Sequence, residues 1–203
     1  MKTTRLVQSV VSVLLVSSLA SAKTSVDLEI EREWLWDRDN NAGEFDINDI
    51  GDRAENIADE WRSLACQKPI EGRVMYVVQI DPNIGGTIGI GFLPSTTLID
   101  SGEQMLGKSH VGCLGAGYSY WSDGNFCHNS AGICTSPSLP KYRSSEIVAM
   151  VVDTYKRTIS IVTDSGNGEE KVAAENIKPG AYMFSMVASK KGAVKILSVD
   201  RLG

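Results

Sequence analysis

From Trp34 onward the chain is a succession of short apolar runs, each stopped within a few residues by Gly, Pro, Asn or Asp. That punctuation excludes a fold built on long helices. Val74-Met75-Tyr76-Val77-Val78-Gln79-Ile80 is a run of strand formers that ends on Asp81-Pro82-Asn83. Thr87 to Phe92 is short, β-rich and broken by glycine. Tyr118-Ser119-Tyr120-Trp121 leads into Ser122-Asp123-Gly124-Asn125, and Asp-Gly between aromatic runs predicts a hairpin with a two-residue turn. Ile147 to Val152 is continuously apolar, as in a strand buried on both faces. Thr158 to Val162 alternates before the turn residues Thr163 to Gly168. Ala181–Ala188 and Ala193–Val199 are expected strands joined by Ser189-Lys190-Lys191-Gly192. Asp52 to Arg62 is the one stretch with a helical reading, and a strand is its alternative. Many short strands at turn spacing predict a single β-sandwich or barrel domain.

The first 22 residues stand outside this pattern. Lys2 and Arg5 form a small basic region, Leu6 to Leu19 is apolar with interspersed serines, and Ala20-Ser21-Ala22 has the form of a cleavage site. Residues 1–22 are read as a secretory signal peptide and 23–203 as the mature domain. No second apolar run is long enough to span a membrane, so a soluble protein of the extracellular space or secretory lumen is expected. The formal charge of -5 falls to -7 when Lys2 and Arg5 leave with the leader. An acidic balance argues against a nucleic-acid partner, which calls for a basic stripe. The acids gather early, with 13 acidic and 4 basic residues between positions 23 and 60. Within that stretch Asp37-Arg38-Asp39-Asn40-Asn41-Ala42-Gly43 begins like a calcium loop. It fails the EF-hand pattern, because its glycine is one place late and Asn48 stands where a glutamate is needed. A solvated loop rich in turn formers is the better reading, with calcium binding by residues 37–52 left open.

Cys66, Cys113, Cys127 and Cys134 permit two disulfides in an oxidising compartment, with three connectivities. No C-x-x-C pair is present, which argues against zinc. A two-residue turn at Asp123-Gly124 would set Tyr120 opposite Cys127 and Cys113 opposite Cys134. The expected bond is therefore Cys113–Cys134. Cys127 is then left to Cys66 or, preferably, to remain a buried thiol.

The segments in order resemble the SPRY domain, the core of the B30.2 module, over about residues 34–199. Trp34 to Ile47 is similar to the family's opening stretch, and Trp61-Arg62-Ser63-Leu64-Ala65 to its W-R-S-V-R/K strand. Gly72 to Ile80 sits where the family has G-x-x-Y-W-E-V-x-I. Gly117-Tyr118, Asp123-Gly124 and His128-Asn129 resemble its glycine-tyrosine, D-G and Y-H-N-G signatures, with Cys127 in place of an aromatic. Ile147 to Asp153, Thr158 to Ile161 and Gly180 to Met186 resemble V-I-G-V-x-L-D, G-T-L-S-F and the late L-Y-P-A-V-S strand. The resemblance implies an all-β fold, a two-sheet antiparallel β-sandwich of the concanavalin A-like jelly-roll type, with Trp61 as a core aromatic. The intracellular ubiquitin-ligase roles of the family are not expected of a secreted chain.

Gly102-Glu103-Gln104-Met105-Leu106-Gly107-Lys108-Ser109 matches the phosphate-loop string G-x-x-x-x-G-K-S. That mechanism needs a helix directly after the loop, whose first amides hold phosphate. Gly112, Gly115 and Gly117 follow instead, so no helix and no ATP binding are expected. G-x-S-x-G and H-E-x-x-H are absent, and His110 and His128 are the only imidazoles. No catalytic residue, metal ligand or cofactor is assigned, and the chain is not read as an enzyme.

The resemblance implies a binding module that recognises a protein or peptide ligand through loops at one end of the sandwich. Trp121, Asp123, Asn125 and His128, around the Asp-Gly hairpin, are the candidate ligand-binding residues. Tyr118 and Tyr120 share a face and are expected in the core, while Trp121 points the other way and is an exposed anchor if that face is not covered. The alternative is a calcium-assisted glycan-binding lectin using Trp121, Asp123 and Asn125 with Asp37, Asp39 and Asn41. A glycoside hydrolase on the same scaffold is a third reading, and it would need two facing carboxylates.

Overall fold

The computed structural model describes residues 30, 32–39, 44–81, 88–96, 117–128, 134–135, 139–143, 146–163, 168–189 and 191–203. Residues 1–22, read as a signal peptide, and the Gly102–Ser109 string lie outside the described residues. The chain divides at Glu31, and the fold below belongs to the unit Arg32–Gly203. Among the described residues it has a 3-10 turn at Arg32–Trp34 and thirteen strands. These are β1 (Phe45–Ile47), β2 (Arg53–Asn56), β3 (Arg62–Ala65), β4 (Arg73–Ile80), β5 (Ile88–Pro94), β6 (Tyr118–Trp121) and β7 (Phe126–His128). The others are β8 (Cys134–Thr135), β9 (Ile147–Asp153), β10 (Thr158–Thr163), β11 (Lys171–Glu175), β12 (Tyr182–Ala188) and β13 (Ala193–Leu202).

They form two antiparallel sheets. One runs β1-β2-β13-β4-β9-β10-β11, and the other β3-β12-β5-β6-β7-β8. The all-β sandwich is thus as expected. The stretch with a helical reading, Asp52 to Arg62, instead holds β2 and the start of β3. Its charged side chains explain the ambiguity: Arg53 points outward and binds Glu55 and Asp81 at 2.8 and 2.6 Å, while Ala54 and Asn56 turn inward. β9 departs from the expectation in part, since Ile147 and Ala149 on its outer face are half-buried.

Alternation along β4 and β12 aims one aromatic set into the space between the sheets. Phe184 of β12 stacks on Tyr76 of β4 at 4.3 Å between ring centroids. Phe92 and Trp36 close on the same ring at 5.6 and 5.8 Å. Cys66 lies buried beside Tyr76 as a free thiol, and burial pushes that thiol well above its ordinary value.

Tyr76, Tyr120, Tyr142 and Tyr182 are buried, and burial raises each phenol above its ordinary value. A native pKa above the unfolded one means that the folded chain holds protons the unfolded chain releases. The stability these groups contribute is complete below about pH 10 and is lost as pH rises through the native values. The expected result is cooperative alkaline unfolding, with phenolate absorbance rising in step with loss of the strand signal in circular dichroism. Phenolate absorbance that rose well ahead of unfolding would contradict the burial.

Candidate functional site

The hairpin β6–β7 forms, but its turn differs from expectation. Tyr118 pairs with His128, Ser119 with Cys127 and Tyr120 with Phe126. The Trp121 N–H donates to the Asn125 carbonyl and the Gly124 N–H to the Trp121 carbonyl, both at 2.9 Å. The loop is therefore three residues, Ser122-Asp123-Gly124, with only Gly124 at positive φ (86°). The expected two-residue register is off by one, and Tyr120 does not face Cys127. Cys127 is disulfide-bonded. The expectation that Cys127 remains a thiol therefore does not stand, while Cys66 is free. In the ladder Cys134 is the residue opposite Cys127, and Cys113 lies outside the described residues.

Asp123 and Asn125 build the tip. The Asn125 backbone N–H donates to Asp123 Oδ1 at 2.9 Å, and its side-chain amide donates to Oδ2 at 2.7 Å. The segment 139–143 pins the hairpin from below. The Tyr120 hydroxyl donates to the Pro140 carbonyl, and the Tyr142 hydroxyl donates to the Ile88 carbonyl at 2.6 Å. A Cβ at Gly124 would stand 3.0 Å from the Leu139 carbonyl oxygen, so glycine is required by contact as well as by φ. The turn is thus a rigid projection.

The face that Trp121 occupies is covered in part by Trp61, so Trp121 is not an exposed anchor. It lies on the outer face of the six-stranded sheet, half-buried, with its Nε1 donating to Ser119 Oγ at 2.9 Å. Trp61 meets it edge to face, with centroids 5.8 Å apart. Both indoles pack on Ala65, Leu93, Met183 and Val187. Trp61 is therefore an outer-face residue rather than part of the inter-sheet core. Its position is set by Asn56, whose buried amide donates to the carbonyls of Ala188 and Glu60 at 2.7 and 2.8 Å. Trp61→Ala is expected to cost about 2 kcal/mol, below the 3–5 of a fully buried aromatic, and to change Trp121 fluorescence. An unchanged urea midpoint would contradict the indole packing.

Tyr118 and Tyr120 point into the core as expected. His128 follows them inward at the far end of β7, its ring stacked near Tyr118 at 6.3 Å. The four candidate residues therefore do not converge: Trp121, Asp123 and Asn125 lie at the β6–β7 tip, and His128 sits at the far end of β7 against Tyr118.

Two features escaped the sequence. Tyr155, on the β9–β10 turn, is 83% exposed, and the Asp153 carboxylate accepts the N–H groups of Tyr155 and Lys156 to hold that turn. A cleft of about 230 Å³ beside the β1–β2 turn and the Trp36–Cys66 bridge is lined by Trp36, Asp37, Asp39, Asp49, Ile50 and Gln67. Asp37 Oδ1 accepts the Asp39 N–H at 3.0 Å, and the Arg38 guanidinium donates to the Asn48 carbonyl. Among the described residues no group of three or more His, Cys, Asp or Glu is placed to hold a metal ion, and Asn41 lies outside them.

The chain matches no family model and no curated protein. Solved structures do resemble it. The SPRY domain of human HERC1 superposes with a TM-score of 0.62 at 15% identity, covering 79% of this chain and 96% of that one. The TRIM65 PSpry domain gives 0.56 at 11%, covering 82% and 93%. Stonustoxin gives 0.57 at 12%, covering 81% of this chain and 27% of that one. The class is therefore a two-sheet sandwich of the SPRY type. No helix of the described residues is long and apolar enough to cross a membrane.

Proposed function

We propose that the chain is a secreted SPRY-like binding module that recognises a protein or peptide ligand through the end of the sandwich carrying Trp121, Asp123 and Asn125. The rigid β6–β7 projection carries this reading. Its polar groups are used in fixing the turn, so little ordering entropy remains to be lost when a partner docks. The likeness to SPRY domains supports a binding role rather than catalysis, and the leader-like residues 1–22 support secretion. The lectin reading gains nothing from Asp37, which uses Oδ1 on its own turn.

Affinity purification with the mature, oxidised protein tests the proposal. Retention of one protein that resists chelation is expected. Calcium-dependent glycan binding, or turnover of a chromogenic glycoside, would overturn it. The secretion arm is separate: expression through a secretory pathway should yield a product that begins at Lys23.

A further inference from the structure

The segment 139–143 that pins the hairpin also borders the proposed binding end. Tyr142 is its fixed point, buried, with its hydroxyl donating to the Ile88 carbonyl and lying 3.1 Å from the Tyr120 carbonyl. Its neighbours on either side, Lys141 and Arg143, are exposed. The Lys141 stem lies against the tip, since a Cβ at Gly124 would stand 3.4 Å from its Cγ. The guanidinium groups of Arg38, Arg53, Arg62, Arg73 and Arg157 donate to carboxylates or carbonyls, and that of Arg201 lies over the Trp34 ring. Among the described side chains Arg143 alone of the arginines has no such partner, and Lys141 has none either.

The carboxylates around these two cations are already engaged. Both Asp123 oxygens accept from Asn125, and Glu146 Oε2 accepts the Arg143 backbone N–H at 2.9 Å. Asp81 is held by Arg53, Glu44 and Glu60 are held by Arg62, and Asp59 is engaged as well. Lys191 adds an exposed cation on the β12–β13 turn, where Gly192 packs near Ile88. From Gly124 to Ser145 the sequence holds no Asp, Glu, Lys or Arg other than Lys141 and Arg143. Residues 141–143 therefore offer a ligand charged donors with no acceptor in place. The geometry points to an acidic, extended segment of a partner protein laid along them. Side chains two positions apart in an extended chain stand about 6.6 Å apart, so carboxylates at alternate positions of that segment reach Lys141 and Arg143 together. Arg143 takes its carboxylate through two parallel N–H groups, which fixes the register of the segment. This deepens the binding-module reading and rests on it.

The test uses a synthetic peptide of alternating glycine and glutamate, with a glycine–lysine peptide as its counterpart. Each is titrated into the mature protein at physiological salt and followed by NMR. The formal charge of -5 becomes -7 without Lys2 and Arg5, so bulk attraction favours the lysine peptide and only a local seat favours the glutamate one. The glutamate peptide is expected to move the amide signals of residues 123–125 and 141–143 saturably, and the lysine peptide to leave them still. The Lys141→Gln/Arg143→Gln double variant should weaken binding about tenfold. Both side chains are exposed and unpaired, so the melting temperature should hold. Lys156→Gln, on the β9–β10 turn, removes a charge elsewhere and should leave binding unchanged. Equal affinity in the double variant, an equal loss in Lys156→Gln, or no saturable binding of the glutamate peptide would overturn the seat. A captured natural partner retained equally by wild type and the double variant would overturn the seat while the binding-module reading stands. Glutamate-peptide binding at residues 141–143 with no natural partner captured would support the seat and count against that reading.

Discussion

Replacing Phe184 by alanine is expected to lower the unfolding free energy by about 3–5 kcal/mol. The ring is fully buried at the centre of the sandwich, where it belongs to one sheet and stacks on Tyr76 of the other at 4.3 Å. Phe92 meets it edge-on at 5.6 Å and Trp36 at 5.8 Å. Truncation removes the shared partner of three aromatics and leaves a cavity that β-ladders on both sides prevent from closing. The loss also reaches the cleft, because the Trp36 Nε1 donates to the Asp52 carbonyl at 3.1 Å and so fixes the β1–β2 turn. In a domain of this size the midpoint should fall by about 10 °C or more. Phe184→Leu, which keeps most of the volume, should cost about half as much. Matching urea and thermal curves for Phe184→Ala and wild type would mean that the sheets do not pack through this ring.

The strands that sequence revealed best are those whose apolar runs are long and central: β4, β9, β12 and β13. β2 is legible only as the alternative to a helix, and β11 escapes the sequence, because half or more of their side chains face outward. Arg53, Glu55, Lys171 and Glu175 carry no hydrophobic period, and the ladder to β13 or β10 places them. The hairpin at Asp123-Gly124 was legible, but its register was not. A two-residue turn and a three-residue loop with one left-handed glycine use the same letters. The observed loop is the one closed by the Trp121 N–H to Asn125 carbonyl and Gly124 N–H to Trp121 carbonyl bonds, with Gly124 close against the Leu139 carbonyl fifteen positions away. That single step changed which residue faces Cys127.

The candidate site was legible in the same uneven way. Asp123 and Asn125 were found because turn chemistry is local. His128 was grouped with them by proximity in sequence, yet β7 carries it three residues away from the tip and onto the inner face. Trp61 was recognised as a packing residue, but the strand pattern did not say which side of the sheet it covers. Its partner Trp121 is sixty positions distant, and the two meet only because β12 and β5 lie between their strands.

Gly91→Ala is expected to be at least as damaging as the loss of a core ring, at about 3 kcal/mol or more. The reason is close approach rather than backbone angle. A Cβ at this position would collide with the Tyr118 carbonyl oxygen and stand 2.8 Å from its carbon and 2.9 Å from the Ser119 Cα. All three atoms are backbone of β6, which is paired here with Gly91 opposite Ser119. No rotamer change can relieve them; β6 itself must move. On its other side β5 is held by β12, where Gly91 is paired with Ser185 and accepts its hydroxyl at 3.4 Å. Gly89→Ala provides the contrast. Its new methyl would meet a Trp121 ring edge and a Val187 methyl at 3.0 Å, both on side chains that can give, so a cost of about 1 kcal/mol is expected. Displacing β6 also displaces the β6–β7 projection. Gly91→Ala should therefore lose amide-exchange protection at Tyr118–Trp121 before β4 and β9 lose theirs. Near-wild-type stability with intact protection there would refute the tight β5–β6 approach.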